Sequence, residues 1–176
     1  MVEYSNPKVR NERWVGNVFA ELTPIKHLTF RSSFSFDYRI TTDKSFSAAY
    51  ENSTYDRREK NFLSSSMSRA YYYNVDNVLT YARTIDKHDF SAMVGQTVEE
   101  YNYYSIGNSG ANIINPVEKN WYLSQVTEDF GRPSDSVSRN RRFSWIGRLH
   151  YSFDQRYLAT VTFRADGSSK FPEKAW

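Results

Sequence analysis

The sequence predicts an all-β fold, a segment of an antiparallel transmembrane β-barrel with about six strands in three hairpins, forming an open curved sheet as a fragment. Three observations predict it: many aromatic rings in a polar chain, alternation of apolar and polar residues, and alternation of short turns with long connections. Of 176 residues, 17% are Phe, Trp or Tyr, yet the mean hydropathy is -0.72. Because soluble cores rely on Leu, Ile and Val and disordered chains lack rings, this composition favours a sheet with one lipid face and one wet face.

The same composition excludes several classes of protein. No stretch approaches the ~20 apolar residues of a transmembrane helix. The net charge is +3 with acidic and basic residues interspersed, so no nucleic-acid partner is expected. Cysteine is absent, which removes disulfide frameworks and thiolate metal sites. The polar start of the chain lacks the pattern of a signal peptide, so an outer-membrane assignment implies that upstream sequence is missing.

Period-two alternation marks the first hairpin, at about 12–39. From Leu28 to Tyr38 the even positions are apolar or aromatic, apart from Ser32, and the odd positions are polar. The segment from Glu12 to Leu22 alternates in a similar way, and Pro24 lies in the short connection between the two strands. Both strands therefore present one apolar face.

Two further hairpins follow at about 69–101 and 141–166. Their predicted turns are Ile85 to His88 and Asp154 to Arg156. The predicted strands are roughly nine to fourteen residues long, whereas soluble sheets average ~5–6 and a tilted bilayer crossing needs ~9–11. Strand length therefore favours the membrane.

Long polar connections join the hairpins, at about 40–68, at 102–140 and from 167 onward. Soluble domains seldom contain such loops, whereas outer-membrane barrels pair short periplasmic turns with long extracellular loops. The whole range 1–176 is therefore predicted to be one partial barrel domain with its long loops outside the cell.

Alternation also assigns side chains to the two faces of the sheet. Residues predicted to face lipid or to lie in aromatic girdles are Trp14, Phe30, Phe34, Phe36, Tyr71, Tyr73, Tyr81, Phe90, Trp145 and Tyr151. Residues predicted to face the lumen are Arg31, Asp37, Asn74, Asp76, Arg148, His150 and Arg164. The alternative for the apolar face is the core of a soluble β-sandwich.

Aromatic residues in the long connections are the candidates for substrate contact, because exposed rings with polar neighbours can stack on a sugar or peptide. They are Tyr101, Tyr103, Tyr104, Trp121 and Tyr122. The alternative is packing within the loops. No catalytic residue, metal ligand or cofactor is predicted, because the three histidines are isolated and no Gly-x-Ser-x-Gly elbow occurs.

Two long stretches, Phe143 to Phe153 and Arg156 to Phe171, resemble a signature of the SusC/RagA family of TonB-linked outer-membrane transporters. Two earlier stretches, Leu22 to Ser32 and Leu79 to Gly95, resemble barrel hairpins of the same family. The likeness covers nearly the whole chain.

The resemblance implies a 22-stranded barrel with a plug in the bacterial outer membrane. It also implies uptake of a glycan or peptide captured by a SusD-like surface lipoprotein, with energy delivered through TonB. This chain would be a middle piece of the barrel wall, not an enzyme, and inactive alone. The alternatives are a porin or adhesin barrel that does not use TonB and a soluble carbohydrate-binding β-sandwich module.

Overall fold

The computed structural model describes residues 5–171, which form long β-strands joined by turns and two loops. The long strands are β1 (Ser5–Ile25), β2 (Leu28–Ser47), β5 (Phe62–Ile85), β6 (His88–Ile113), β8 (Ser134–Phe153) and β9 (Tyr157–Ser168). The short strands are β3 (Tyr50–Glu51), β4 (Arg57–Arg58) and β7 (Val126–Glu128), and two single 3-10 turns lie at Glu118–Asn120 and Leu123–Gln125.

The long strands are neighbours in the order β1-β2-β5-β6-β8-β9, with β7 added beside β6 and β3 paired with β4. The β8–β9 pair is antiparallel, with Phe153 opposite Tyr157 next to the turn and Arg142 opposite Ser168 at the far end. The predicted all-β class with long antiparallel strands is confirmed. Among the described residues, neither 3-10 turn nor any other helix has the length and apolar character needed to cross a membrane.

Each predicted hairpin closes through a short turn. The third turn is Asp154 to Arg156, as predicted, and the second is reduced to Asp86 and Lys87. The first is also shorter than predicted, because β1 continues through Pro24 to Ile25. Pro24 is the last residue but one of β1, where the strand passes into the turn.

The turns contain residues in the left-handed region of backbone conformation. The φ angles are 71° at His27, 51° at Asp86, 49° at Asp154 and 54° at Gln155. Asp adopts this conformation more readily than most residues because its short side chain bonds the local backbone. Gln155 has no such compensation and is the strained position of its turn.

Replacing Gln155 with Gly is expected to stabilise the third hairpin by about 0.5–1 kcal/mol, because Gly removes the left-handed strain while adding some unfolded-state entropy. The measurement is the thermal midpoint of the complete protein that contains this segment. Asp154→Gly is the matched control and should not stabilise, because Asp154 interacts with Lys87 at 3.3 Å and Arg156 at 3.6 Å. An equal gain in both variants would contradict the assignment of strain to Gln155.

Five of the six long strands exceed the predicted nine to fourteen residues, whereas β9 has 12 residues as predicted. Strands β2, β5, β6 and β8 continue into the predicted loops. Strand β6 has 26 residues and β5 has 24. The predicted loops 40–68 and 102–140 are reduced to 48–61 and 114–133. The added strand ends contain Ser, Thr and Asn at both odd and even positions, so they pair through the backbone without an alternating sequence signal.

The chain divides into two compact units. The turn unit comprises Trp14–Asp37, Tyr71–Asn102 and the described part of Arg139–Trp176, and it contains the three short turns. The loop unit comprises the described part of Met1–Arg13, Tyr38–Ala70 and Tyr103–Ser138, and it contains the two loops.

Buried apolar side chains are confined to the loop unit within the described residues. A small core there consists of Leu63, Ile113, Trp121 and Val126, with Phe46 and Leu123 packed against it. In the turn unit the large apolar side chains stay uncovered, with Leu149 62% and Val161 66% exposed. The turn unit therefore has an apolar surface where a soluble domain would have a core.

Candidate functional site

The register of β8 and β9 sorts the side chains of the third hairpin into two faces. Directly opposite residues share a face, and one face pairs Leu149 with Val161 and Trp145 with Ala165. The other pairs Arg148 with Thr162, His150 with Thr160 and Ser144 with Asp166. The predicted alternation of apolar and polar faces is confirmed in this hairpin.

Aromatic rings form two clusters on the apolar side of the turn unit. The near cluster, beside the turns, contains His88, Phe90, Tyr151 and Phe153, with 5.0 Å between the ring centroids of Phe90 and Tyr151. The far cluster contains Phe34, Phe36, Tyr71 and Tyr73, with 6.5 Å between the centroids of Phe34 and Tyr73. The structure thus brings six of the ten predicted lipid-facing residues into two groups.

The other four predicted lipid-facing residues extend this pattern. Tyr81 meets His27 edge-on beside the first turn, at 6.3 Å between ring centroids. Trp145 packs edge-on against Phe143 at 5.8 Å. Trp14 is half exposed and Phe30 is half-buried.

The spacing of the rings along the strands is somewhat shorter than the apolar band of an outer-membrane barrel. In β5, Tyr73 and Tyr81 are eight positions apart. Eight residues at ~3.3 Å each span roughly 26 Å along the strand, or roughly 20 Å along the normal at a tilt of ~40°. Outer-membrane barrels have an apolar band of ~25 Å between two girdles of rings. Between the rings here lies a shallow apolar groove of about 360 Å³ lined by Leu79, Ala92, Val94, Leu149 and Val161, among others.

One buried carboxylate interrupts the far end of the apolar face. Glu100 is 9% exposed and accepts hydrogen bonds from the Tyr73 hydroxyl at 2.7 Å, the Asn102 amide at 2.6 Å and Arg141 Nε at 2.8 Å. We call these four residues the Glu100 cluster. The sequence contains one sign of this cluster. Glu100 and Phe90 are both even-numbered residues of β6, so they lie on the same face of the strand.

Replacing Glu100 with Ala is expected to lower the unfolding free energy of the complete protein by about 1–3 kcal/mol, because three donors lose a charged acceptor. The measurement is the thermal midpoint in detergent. Glu59→Ala is the control, since Glu59 forms an exposed pair with Arg57 at 2.9 Å that contributes little. Equal midpoints for the two variants would show that the Glu100 cluster adds no stability.

The polar face carries a network of short hydrogen bonds and ion pairs. Asp76 accepts from Asn74 at 2.6 Å and from Thr97 at 2.7 Å. Arg142 and Glu99 approach to 2.7 Å. The network therefore places two of the predicted lumen residues, Asn74 and Asp76, in one connected group.

Three of the remaining predicted lumen residues have partners outside this network. Arg31 lies 4.5 Å from the ring centroid of Phe19, His150 meets Thr160 at 2.9 Å, and Arg164 binds Asp166 at 2.9 Å. Asp37 is half-buried and Arg148 is exposed. Residues 5–171 bring no three His, Asp or Glu side chains into a group that could hold a metal ion.

The predicted substrate-contact residues fall into two groups. Tyr101, Tyr103 and Tyr104 lie within β6, not in a loop as predicted. Tyr101 is 39% exposed, and Arg69 lies 5.4 Å from the ring centroid of Tyr104.

Trp121 and Tyr122 do lie in a loop, but they differ in accessibility. Trp121 is only 7% exposed, stacks on Phe46 at 4.9 Å between centroids and donates through Nε1 to the Pro116 carbonyl at 3.1 Å. Tyr122 is 57% exposed, and Lys44 Nζ lies 4.7 Å from its ring centroid. Packing within the loop thus describes Trp121, whereas Tyr122 is open to a ligand.

An ion-pair clasp joins the two loops of the loop unit. Lys60 Nζ lies 2.6 Å from Glu128 Oε2 and 3.1 Å from Asp129 Oδ2. These hydrogen bonds, first that of Glu128, raise the pKa of Lys60. Lys60 and then Asn112 lower the pKa of Glu128, so its part of the clasp is present above pH 4.5 and is lost only as pH falls below that value. The clasp therefore persists at neutral pH, although its exposure makes it sensitive to salt.

Known proteins are similar in sequence to nearly the whole of this chain. TonB-dependent receptor P26 of Formosa agariphila is 23% identical over 170 residues, which cover 96% of this chain and 17% of the relative. TonB-dependent receptor SusC of Bacteroides thetaiotaomicron is 24% identical over 172 residues, covering 97% of this chain and 16% of the relative. No family model matches the chain.

Solved structures agree with the sequence relatives. The structure of the RagAB peptide transporter matches with a TM-score of 0.88 and 26% identity, covering 97% of this chain and 19% of that chain. The RagAB peptide importer in its closed-closed state matches with a TM-score of 0.87 and the same identity. The chain spans about a sixth of the length of these curated relatives and about a fifth of the solved chains.

Fold and matches together show homology to a β-barrel segment of TonB-dependent receptors, a class of proteins of the bacterial outer membrane. Within this class the chain is homologous to the SusC/RagA-type receptors over most of its length. The class consists of transporters and not of enzymes. The alternative of a soluble β-sandwich is excluded by the fold match.

Proposed function

We propose that this chain is a wall segment of an outer-membrane importer that takes up a glycan or a peptide with energy delivered through TonB. The observation that carries the proposal is the match of 97% of the chain to the RagAB peptide transporter at a TM-score of 0.88. A segment of this size forms wall and does not transport by itself, because an open sheet encloses no lumen.

In this proposal one face of the turn unit contacts lipid and the other contacts the water of the lumen. The apolar face with its two ring clusters contacts lipid, and the Glu100 cluster lies at the height of the outer headgroups. The network around Asp76 and Glu99 faces the lumen. This assignment is supported by the uncovered Leu149 and Val161.

The partners proposed for the complete protein are TonB and a SusD-like surface lipoprotein. Support for the lipoprotein comes from the likeness to the RagAB peptide transporter, a complex that implies a RagB-type partner for homologous receptors. The long loops would be extracellular, where such a partner and its ligand arrive. Tyr122 is the loop ring that the structure leaves exposed enough to contact them.

The decisive experiment expresses the complete gene in a bacterium lacking its own importer of this kind and measures uptake with and without TonB. The bacterium should need TonB to take up labelled casein peptides or starch oligosaccharides and to grow on them. Uptake that continues unchanged without TonB would overturn the importer and favour a passive porin.

A further inference from the structure

A groove of about 410 Å³ in the loop unit is lined by more serines than residues of any other type, together with charged residues. It lies across β1, β2, β5, β6 and the start of β8, and its volume is within the range of small-ligand sites. The serines are Ser45, Ser64, Ser65, Ser66, Ser109 and Ser134, and the charged residues are Lys8, Asp43, Lys44 and Arg132. We call this feature the serine groove.

Small residues give the serine groove its room. A Cβ placed on Gly107 would lie 3.1 Å from the Cβ of Ser66, so the two residues are neighbours on one face. Ser64 and Ser66 have the same even parity in β5 as Asp76, one of the residues predicted to face the lumen. A ligand can therefore approach the backbone of these strands closely.

Some polar groups of the groove have partners within residues 5–171: Lys8 pairs with Glu118, Lys44 donates to the Trp121 carbonyl, and Asn108 accepts from the Ser109 N–H. Others have none. The hydroxyls of Ser45, Ser64, Ser66 and Ser134 form no side-chain hydrogen bond there, and Asp43 and Arg132 at the groove form no ion pair. A fold that needed these groups for stability would have paired them with one another. They are therefore available to a ligand.

The chemistry of the lining indicates the class of ligand. A hydroxyl both donates and accepts, so a row of serines can match the N–H and C=O groups of an extended peptide. Asp43 suits a peptide ammonium group, and Arg132 suits a carboxylate through charge-assisted bonds. The lining residues include no aromatic ring for a sugar to stack on. We infer that the serine groove binds short extended peptides through their main chain and charged ends, an inference that rests on the proposed importer function.

The test uses the complete receptor, purified in detergent, with tryptic peptides of casein as the probe. Binding is measured by calorimetry, and the retained peptides are identified by mass spectrometry. The double variant Ser64→Ala, Ser66→Ala should bind about tenfold more weakly, since two lost hydrogen bonds correspond to roughly that factor. Ser136→Ala, in the same strand as Ser134 but outside the groove, is the matched control and should bind as the native receptor does.

A second variant tests the charged end of the groove. Arg132→Gln should weaken binding of peptides with a free carboxyl terminus and leave binding of their amidated forms unchanged. Equal weakening of both forms would overturn the assignment of Arg132. Unchanged peptide binding in the double serine variant would overturn the peptide groove. The same conclusion would follow if the double variant lost binding of starch oligosaccharides and not of peptides.

The two proposals fail separately. If uptake requires TonB but the serine variants bind and transport casein peptides normally, the groove is overturned and the importer stands. If uptake ignores TonB while the purified receptor loses peptide binding in the serine variants, the importer is overturned and the groove stands. Heat-modifiable migration on gels confirms that each variant is folded, so neither result is confused with misfolding.

Discussion

Arginine in place of Val161 is expected to prevent or strongly reduce assembly of the complete receptor in the outer membrane. Val161 lies opposite Leu149 on the apolar face and is 66% exposed. A charged side chain near the midplane on a lipid face costs about 2–4 kcal/mol, a large part of the stability of a folded protein. The measurement is the yield of folded receptor in outer-membrane fractions, judged by heat-modifiable migration.

Thr162→Arg is the matched control, because Thr162 is the next residue of β9 and lies opposite Arg148 on the polar face. It should assemble at close to the native yield, since a wet wall accepts another cation. If the arginine at 162 is as damaging as the one at 161, the two faces do not differ in solvent. That result would remove the physical basis for a membrane-spanning sheet.

The second large effect is expected in the loop unit, at Trp121. Replacing a buried tryptophan with alanine typically costs about 3–5 kcal/mol. Trp121 stacks on Phe46 and belongs to the small core with Leu63, Ile113 and Val126, so its loss should release the loop 114–133. Cleavage by trypsin after Lys119 should accelerate about a hundredfold, because each 1.4 kcal/mol of lost local stability is a factor of about ten.

Tyr122→Ala provides the comparison, since Tyr122 is adjacent but 57% exposed. It should alter cleavage after Lys119 only slightly, while reducing ligand binding if Tyr122 contacts the substrate. Equal cleavage rates for both variants would show that the loop is not ordered by the Trp121 core. Together the pair separates a ring that packs the loop from a ring that is open to a ligand.

Much of the turn unit can be predicted from the sequence because its two faces have different chemistry. Alternation between Phe143 and Phe153 correctly predicts which residues share a face, and short polar segments correctly mark the three turns. The exact end of β1 could not be predicted, because Pro24 favours a turn and the local sequence does not show that pairing with β2 continues to Ile25.

The loop unit was less predictable for two physical reasons. Its strand ends carry Ser, Thr and Asn on both faces, so β6 runs to Ile113 without an alternating pattern. Its core depends on contacts across long sequence separations, such as Phe46 with Trp121, which no local pattern reveals. The role of Glu100 was missed for a related reason. A charged residue at one apolar position of a strand has no evident function until its partners Tyr73 and Arg141 are known.

Among the described residues, the loop unit buries apolar side chains and the turn unit does not, and this difference affects how such a segment folds. A unit with its own small core, built around Leu63 and Trp121, can gain hydrophobic stabilisation in water alone. The turn unit exposes Leu149 and Val161 and gains that stabilisation only when hydrocarbon covers them. Its final folding step is therefore expected to coincide with its arrival in the bilayer, because until then the apolar face has nothing to cover it.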